Sequence, residues 1–150
     1  MSFIKGNHLR CFIILIFSFF FIISNISYAE ETTDNHFYFV QITDTHFGNL
    51  DHKERTEKAV DMINDLPMPI KFVVHTGDIT MEMLENKDIV DTALSVMNKI
   101  KAPVYFVPGN HDILPGKLDS TKKIYLENFG ELSSQVEYEG VLFLFIYTEP

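Results

Sequence analysis

The sequence predicts an α/β fold built around a parallel sheet. Three apolar segments of strand length alternate with two segments whose apolar residues recur at helical spacing, and this alternation is typical of βαβ units. The strand segments are almost continuously apolar, which favours burial on both faces of the sheet. Right-handed crossovers are therefore expected to join the strands.

The first strand follows a polar lead-in at residues 30–36. Residues 37–43 (FYFVQIT) are rich in aromatic and β-branched side chains, which favour a strand. Residues 51–66 carry apolar side chains at the i, i+3, i+4 and i+7 positions of one helix face. Pro67 cannot continue a helix and is expected to end it.

The same pattern continues along the middle of the chain. Residues 70–75 (IKFVVH) predict a second strand, residues 86–100 a second amphipathic helix, and residues 103–107 a third strand. A third helix is one interpretation of residues 119–129, with Gly130 as its left-handed cap.

The last part of the chain has a different pattern. Residues 135–138 and 141–147 are of strand composition and flank Glu139-Gly140, a dipeptide suited to a tight turn. These residues predict a β-hairpin. The folded domain is accordingly expected to cover residues 37–150.

The first 29 residues have the layout of a secretory signal peptide. A basic start precedes the apolar run 11–23, and small residues flank Tyr28 just before a cleavage point after Ala29. A bilayer span needs about 20 apolar residues, and Ser24 and Asn25 interrupt this segment too early. We expect a cleaved signal, a secreted or periplasmic protein and no stable membrane span afterwards; a signal anchor is the alternative.

Cleavage changes the charge and the cysteine content of the chain. Lys5 and Arg10 are two of the 12 basic residues, and all 21 acidic residues follow Ala29, so the formal charge goes from −9 to −11. Such a surface repels nucleic acid, and no nucleic-acid-binding surface is expected. Cys11 is the only cysteine, so the mature chain has neither disulfides nor thiolate chemistry.

Each predicted strand of the sheet ends in residues that can bind a metal ion. Asp44 and His46 follow the first strand, Asp78 the second and Asn110 the third. Ligands of open α/β sheets bind beyond the carboxyl ends of the strands. In an extended segment, residues two apart project to the same side, so Asp44 and His46 are expected to converge. A carboxylate with an imidazole suits zinc, iron or manganese better than calcium.

The spacing of these motifs makes them more informative together than singly. Each alone has an ordinary interpretation as a chance pair or a turn. Asp44 and Asp78 are 34 residues apart, and Asp78 and Asn110 are 32 apart. Each interval fits one βα repeat, so the sequence predicts that the three motifs meet at one site.

Three motifs, Asp44-Thr45-His46, Gly77-Asp78 and Gly109-Asn110-His111-Asp112, resemble the first three signatures of the calcineurin-like metallophosphoesterases. The resemblance covers residues 37–147. It implies a four-layer α/β/β/α sandwich. It also implies hydrolysis of phosphate mono- or diesters by a metal-activated water at a site of two divalent ions, with manganese, iron and zinc as candidates.

The resemblance also implies a role for each motif residue. Asp44 and His46 would hold the first metal, Asp78 would bridge both metals and Asn110 would bind the second. His111 would lie beside the phosphate, where it protonates the leaving oxygen or stabilises the transition state. Asp112 would orient His111 or its loop.

The later histidine motifs of the family are not in this sequence, in which no histidine follows His111. We therefore expect the chain to be the N-terminal part of a longer enzyme. The alternative is a truncated, non-catalytic remnant that binds a single metal weakly. His36, His52 and His75 lie near the motifs but are left out of the predicted site. His75 is interpreted as a core residue, and His36 belongs to the lead-in. His52 is expected to open a helix at the surface, although it is the best placed of the three to line the cleft.

Overall fold

The computed structural model describes residues 36–148; the predicted signal peptide and residues 30–35 of the lead-in lie outside the described residues. Within this range the chain forms five strands, three α-helices and one short 3-10 helix. In chain order these are β1 (Tyr38–Ile42), α1 (His52–Asn64), β2 (Ile70–His75), α2 (Lys87–Met97), β3 (Val104–Phe106), the 3-10 helix (Pro115–Lys117), α3 (Leu118–Asn128), β4 (Ser134–Tyr138) and β5 (Val141–Phe145).

The first three strands form a parallel sheet in the order β1-β2-β3. Val73 of β2 lies in register with Val40 of β1 and Val104 of β3. On one face of the sheet, Val73 belongs to a buried core that includes Val60 of α1 and Ala93 of α2. The predicted α/β class and parallel sheet are confirmed, and the crossover helices cover this face.

The β4–β5 hairpin packs on the opposite face of the sheet. Successive side chains of a strand point to opposite faces, so Phe72 points away from the helices, and its ring centroid lies 5.1 Å from that of Phe143 in β5. Phe39 of β1 contacts Phe143 at 5.2 Å, and Tyr105 of β3 contacts Phe145 at 5.8 Å. These aromatic rings join the two sheets.

The described residues thus supply a helix layer, a parallel sheet and a hairpin layer. The outer face of the hairpin is apolar and exposed: Leu142, Leu144 and Ile146 are 55%, 57% and 61% accessible. No second helix layer covers this face within residues 36–148, so the four-layer sandwich stays a prediction.

Tertiary contacts end the helices earlier than periodicity alone predicts. Asn64, the last residue of α1, donates to the carbonyl of Lys99 at 2.8 Å and accepts from the amide of Lys101 at 2.9 Å. Because these bonds engage the backbone between α2 and β3, α2 ends at Met97 instead of continuing to Ile100. None of the helices within residues 36–148 has the length and apolarity that crossing a membrane requires.

Residues 118–128 form a helix, so the interpretation of residues 119–129 as a third helix is confirmed. Gly130 follows it with φ of 99°, the left-handed conformation expected of a helix-terminating glycine.

Candidate metal centre

The loops that follow β1 and β2 are joined by backbone hydrogen bonds beyond the ends of the strands. The amide of Asp44 donates to the carbonyl of Gly77 at 3.1 Å, and the amide of His46 donates to the backbone carbonyl of Asp78 at 3.0 Å. The amide of Phe47 then donates to Ile79 at 2.8 Å. The parallel pairing of the two chain segments therefore continues through the first two motifs.

Asp44, His46 and Asp78 all have left-handed backbone conformations, with φ of 57°, 44° and 57°. The expected extended geometry of the first motif is wrong, because two left-handed residues bend the chain there. The two side chains nevertheless converge, and His46 Nε2 lies 3.4 Å from Asp44 Oδ1. Asp and His tolerate this conformation better than most residues, and strained backbone is typical of functional sites.

The same three residues form a group that can hold a metal ion. Each offers one ligand atom, and these atoms lie within 4.8 Å of one another. Ligand atoms lie about 2.0–2.2 Å from a bound zinc ion, so two ligands of one ion are at most about 4.4 Å apart. The donors therefore fit one divalent ion after adjustments of a few tenths of an ångström, and a cation would offset the repulsion between the two carboxylates.

Two glycines allow the second and third motifs to approach each other. A Cβ on Gly77 would lie 2.5 Å from the nitrogen of Gly109, and a Cβ on Gly109 would lie 2.2 Å from Asp78 Oδ1. Gly77 also has φ of 104°, which favours glycine. The amide of His111 donates to Asp78 Oδ1 at 3.0 Å. The third motif thus supports the Asp78 carboxylate directly.

Asp112 is fully buried and joins the two loops. Its Oδ2 accepts from the amides of Ile79 and Gly109 at 3.2 and 3.0 Å, and its Oδ1 accepts from the amide of Thr80 at 3.0 Å. Burial raises the pKa of Asp112, and these amide hydrogen bonds oppose that effect. The structure therefore places Asp112 on backbone amides of the second and third motif loops.

Asn110 and His111 border the group from the third motif. Asn110 is exposed and lines a cavity of about 420 Å³ together with Asp44 and Asp78. The chain from Leu144 to Ile146 lines the same cavity. The ring of His111 lies 5.3 Å from the ring of His46, between centroids.

His75 lies fully buried beneath the first two motifs, as a core histidine should. The amide of Gly77 donates to His75 Nδ1 at 3.2 Å, so Nε2 carries the proton of the neutral ring and donates to Thr45 Oγ1 at 2.9 Å. Thr45 donates in turn to the carbonyl of Ile79 at 3.1 Å. Burial is the main cause that lowers the pKa of His75 to about 4. This hydrogen-bond chain ties the two loops together from below.

The structure also brings two other residues to the centre. His52 Nδ1 lies 3.1 Å from the carbonyl oxygen of Thr45, and His52 lines a second cavity of about 350 Å³ that includes Asp44 and Arg55. The sequence prediction left His52 out of the site, and its nearness to the first motif was the only signal for it. Glu82 Oε1 lies 3.3 Å from His111 Nδ1. The sequence carries no signal for Glu82, because an irregular loop brings it to His111.

A search of curated proteins found no significant match. The crystal structure of the protein of unknown function AQ665 from Aquifex aeolicus is similar at a TM-score of 0.39 and 20% sequence identity, over 69% of this chain. The present chain spans 56% of the length of that chain.

A model of the calcineurin-like phosphoesterase family matches residues 37–149. This range includes all three motifs and all the residues of the candidate centre. The chain therefore belongs to the calcineurin-like phosphoesterase family.

Proposed function

We propose that this protein is a metal-dependent phosphoesterase that hydrolyses phosphate mono- or diesters. The observation that carries the proposal is the group Asp44, His46 and Asp78, whose ligand atoms lie within 4.8 Å of one another at the carboxyl ends of β1 and β2. Membership of the calcineurin-like phosphoesterase family supports the same chemistry.

The proposed site holds two divalent ions. Asp44 and His46 would bind the first, Asp78 would be shared and Asn110 would contribute to the second. The common cavity of about 420 Å³ lined by Asp44, Asp78 and Asn110 supports this assignment. When bound, the ions would supply positive charge at the phosphoryl oxygens and a water acidic enough to attack phosphorus near neutral pH.

The protein residues around the ions have separate tasks in this proposal. His111 gives a proton to the leaving oxygen as the bond from phosphorus to that oxygen breaks. Asp112 keeps the second and third motif loops in contact through its three amide hydrogen bonds. Asp112 is therefore a positioning residue and does not touch the substrate.

A metal titration combined with a hydrolysis assay tests this function. We expect the protein to bind about two equivalents of manganese, zinc or iron and to hydrolyse p-nitrophenyl phosphate or its bis ester. Asp44→Asn and Asp78→Asn each remove a charged ligand, and each should lower kcat/KM at least about 100-fold, since losing a mere supporting contact of a ligand costs about 10- to 100-fold.

Asp61→Asn is the matched control, because Asp61 is an exposed acid on α1 outside the motifs. It should leave metal binding and hydrolysis unchanged. Absence of both metal binding and hydrolysis in the wild-type protein would contradict the proposal.

A second candidate function is a non-catalytic protein that binds a single metal. It is favoured by the finding of one metal-binding group, Asp44 with His46 and Asp78, among the described residues. One equivalent of metal without hydrolysis would support this alternative.

We also propose that the mature protein is secreted or periplasmic. The proposal rests on the basic start, the apolar run 11–23 and the small residues before Glu30. Mass spectrometry of the mature N-terminus tests it, and a retained Met1 would support the signal-anchor alternative.

A further inference from the structure

Arg55 is a cation without a carboxylate partner at the edge of the candidate metal centre. It is the only arginine after residue 10, in a chain with 21 acidic residues. Among the described residues, no carboxylate pairs with its guanidinium and no side-chain hydrogen bond engages it. Of its neighbours on α1, Glu54 pairs with Lys58 at 2.8 Å. Glu57 pairs with Lys99 at 2.9 Å. These glutamates are therefore engaged and leave the charge of Arg55 uncompensated.

Helix stability does not explain a cation at this position. Arg55 lies in the first turn of α1, which begins at His52, and its backbone amide donates to the carbonyl of Asp51 at 3.0 Å. The first turn of a helix carries partial positive charge, so an acid such as Glu54 is favourable there and a cation is unfavourable. An anion bound to the guanidinium would offset this cost.

His52 holds the start of α1 against the first motif. Its Nδ1 lies 3.1 Å from the carbonyl oxygen of Thr45, and because a carbonyl only accepts, Nδ1 is the donor. Residues three apart lie on the same face of a helix, so Arg55 follows His52 on the face that borders the motif. Both residues line one cavity.

This cavity combines the cation with apolar surface. Its volume is about 350 Å³, and its wall includes Ile42, Ala59 and Ile63. These three residues are only half-buried, so a hydrocarbon or aromatic group placed against them would remove apolar surface from water, which is favourable. The cavity thus offers a wall for a carbon skeleton and a guanidinium for an anion.

The cavity of Arg55 shares a boundary with the cavity of the candidate metal centre. Thr43 and Asp44 line both, and the second cavity continues to Asp78 and Asn110. A phosphate ester with its phosphoryl group at the candidate ligands can therefore extend its alcohol part across Thr43 and Asp44 into the cavity of Arg55.

Resting on the proposed phosphoesterase function, we propose that Arg55 selects phosphate esters whose alcohol part carries a second anionic group. The guanidinium binds that carboxylate or phosphate through two parallel N–H bonds. The carbon skeleton between the two anionic groups packs on the apolar wall. Arg55 is in this proposal a specificity-determining residue that does not touch the reacting atoms.

Three esters of one ring test this selection: phenyl phosphate, 4-carboxyphenyl phosphate and 1,4-phenylene bisphosphate. In Arg55→Gln, KM should rise about 5-fold for the two esters with a second anionic group, the upper range for a partly exposed ion pair. Their kcat should stay nearly unchanged, because the lost interaction is the same in the ground state and the transition state. For phenyl phosphate, KM should change less than about 2-fold. The ester with the larger increase identifies the preferred anion.

Two variants provide the controls for this test. Arg55→Lys keeps the charge without the paired donors and should recover part of the lost affinity. Lys53→Gln removes a cation from an exposed position of α1 that does not line the cavity, and it should leave KM for all three esters unchanged. Equal KM increases for the three esters in Arg55→Gln, or an equal effect of Lys53→Gln, would overturn the selection.

A binding measurement without turnover separates the cavity from the chemistry. The carbon–phosphorus bond of 4-carboxyphenylphosphonate is not an ester bond and resists hydrolysis, and phenylphosphonate is the matched compound without a second anionic group. In protein supplied with zinc, the Nε–H NMR signal of Arg55, assigned by its loss in Arg55→Gln, should shift with the first compound and much less with the second.

The two measurements fail in different ways. No shift, or an equal shift with both phosphonates, would overturn the anion-binding role of Arg55 even in an active phosphoesterase. A selective shift in a wild-type protein that hydrolyses none of the three esters would overturn the proposed phosphoesterase function and leave the anion-binding role of Arg55 in place.

Discussion

His75 uses both ring nitrogens inside the protein, and its charge state therefore matters for folding. Its Nδ1 accepts from Gly77, and its Nε2 donates to Thr45. A second proton would have to sit on Nδ1, where it would face the amide of Gly77 with no acceptor. Burial also disfavours the positively charged form of His75. His75 therefore has to stay neutral for the two motif loops to remain joined.

The neutral state of His75 makes the stability of the protein sensitive to acid. The folded chain takes up this proton only near pH 4, because burial lowers the pKa of His75 to about 4, whereas an unfolded chain takes it up near pH 6.5. The stability contributed by His75 is full above about pH 6.5 and is lost as the pH falls through that interval, by about 3 kcal/mol in all.

Urea unfolding of the metal-free protein at several pH values measures this loss. The unfolding free energy of the wild type should fall more steeply between pH 6.5 and 4.5 than that of His75→Gln. His36→Gln, at an exposed histidine, should behave as the wild type. Parallel pH profiles for all three proteins would show that His75 is not the acid-sensitive group.

At the scale of elements, the contact between two loops determines the position of Asp78, a candidate metal ligand. The loop after β3 approaches the loop after β2 so closely that a Cβ on Gly109 would collide with the Asp78 carboxylate, and the amide of His111 donates to that carboxylate. The position of the Asp78 side chain in the second motif therefore depends on the backbone of Gly109 and His111 in the third motif. Neither of these two residues is a candidate metal ligand.

Gly109→Ala tests this coupling. The added Cβ would lie 2.2 Å from Asp78 Oδ1 and 2.6 Å from the Asp78 nitrogen, so the carboxylate has to move. We expect metal affinity, measured by titration calorimetry, to fall about 10-fold or more. Gly116→Ala is the control, since no atom lies within 4 Å of its added Cβ. Equal affinities in the two variants would contradict the coupling.

At the scale of the whole molecule, the described residues of this acidic chain include one exposed apolar face. The outer face of the β4–β5 hairpin exposes Leu142, Leu144 and Ile146 in one strip. Contiguous exposed apolar surface of this kind favours association between molecules, and β5 adds a short strand that can pair with another chain.

Leu142→Lys should reduce concentration-dependent association, measured by sedimentation velocity. The new cation would lie across the hairpin from Glu137, the register partner of residue 142, so the substitution adds an opposite-charge pair in the folded chain. Leu50→Lys makes the same change at a leucine that is 92% exposed on a loop outside the hairpin. If both variants associate equally, the hairpin face is not the associating surface.

Much of this fold can be predicted from the sequence, because strands and helices have distinct apolar periods. The second strand has the predicted bounds, Ile70–His75. The early end of α2 was not predictable, because it depends on the long-range hydrogen bonds of Asn64 to residues 99 and 101. Local pattern carries no information about such contacts.

The candidate centre was predictable in composition but not in geometry. The sequence predicts that Asp44, His46 and Asp78 meet, because all three follow predicted strands. Parallel strands end at one edge of the sheet. The left-handed backbone at these residues and the approach of Glu82 to His111 come from the pairing of the loops. Neither has a signature in the sequence.

The pairing that runs past the ends of β1 and β2 has a consequence for how the centre forms. Asp44, His46 and Asp78 are hydrogen-bonded into the same ladder that makes the sheet, so their backbone is ordered when the chain folds. The backbone of these residues loses its conformational entropy when the chain folds. An ion that binds afterwards therefore has to immobilise only their side chains. The backbone of the candidate metal centre is in this sense pre-organised by the sheet, and a bound ion would not have to order it.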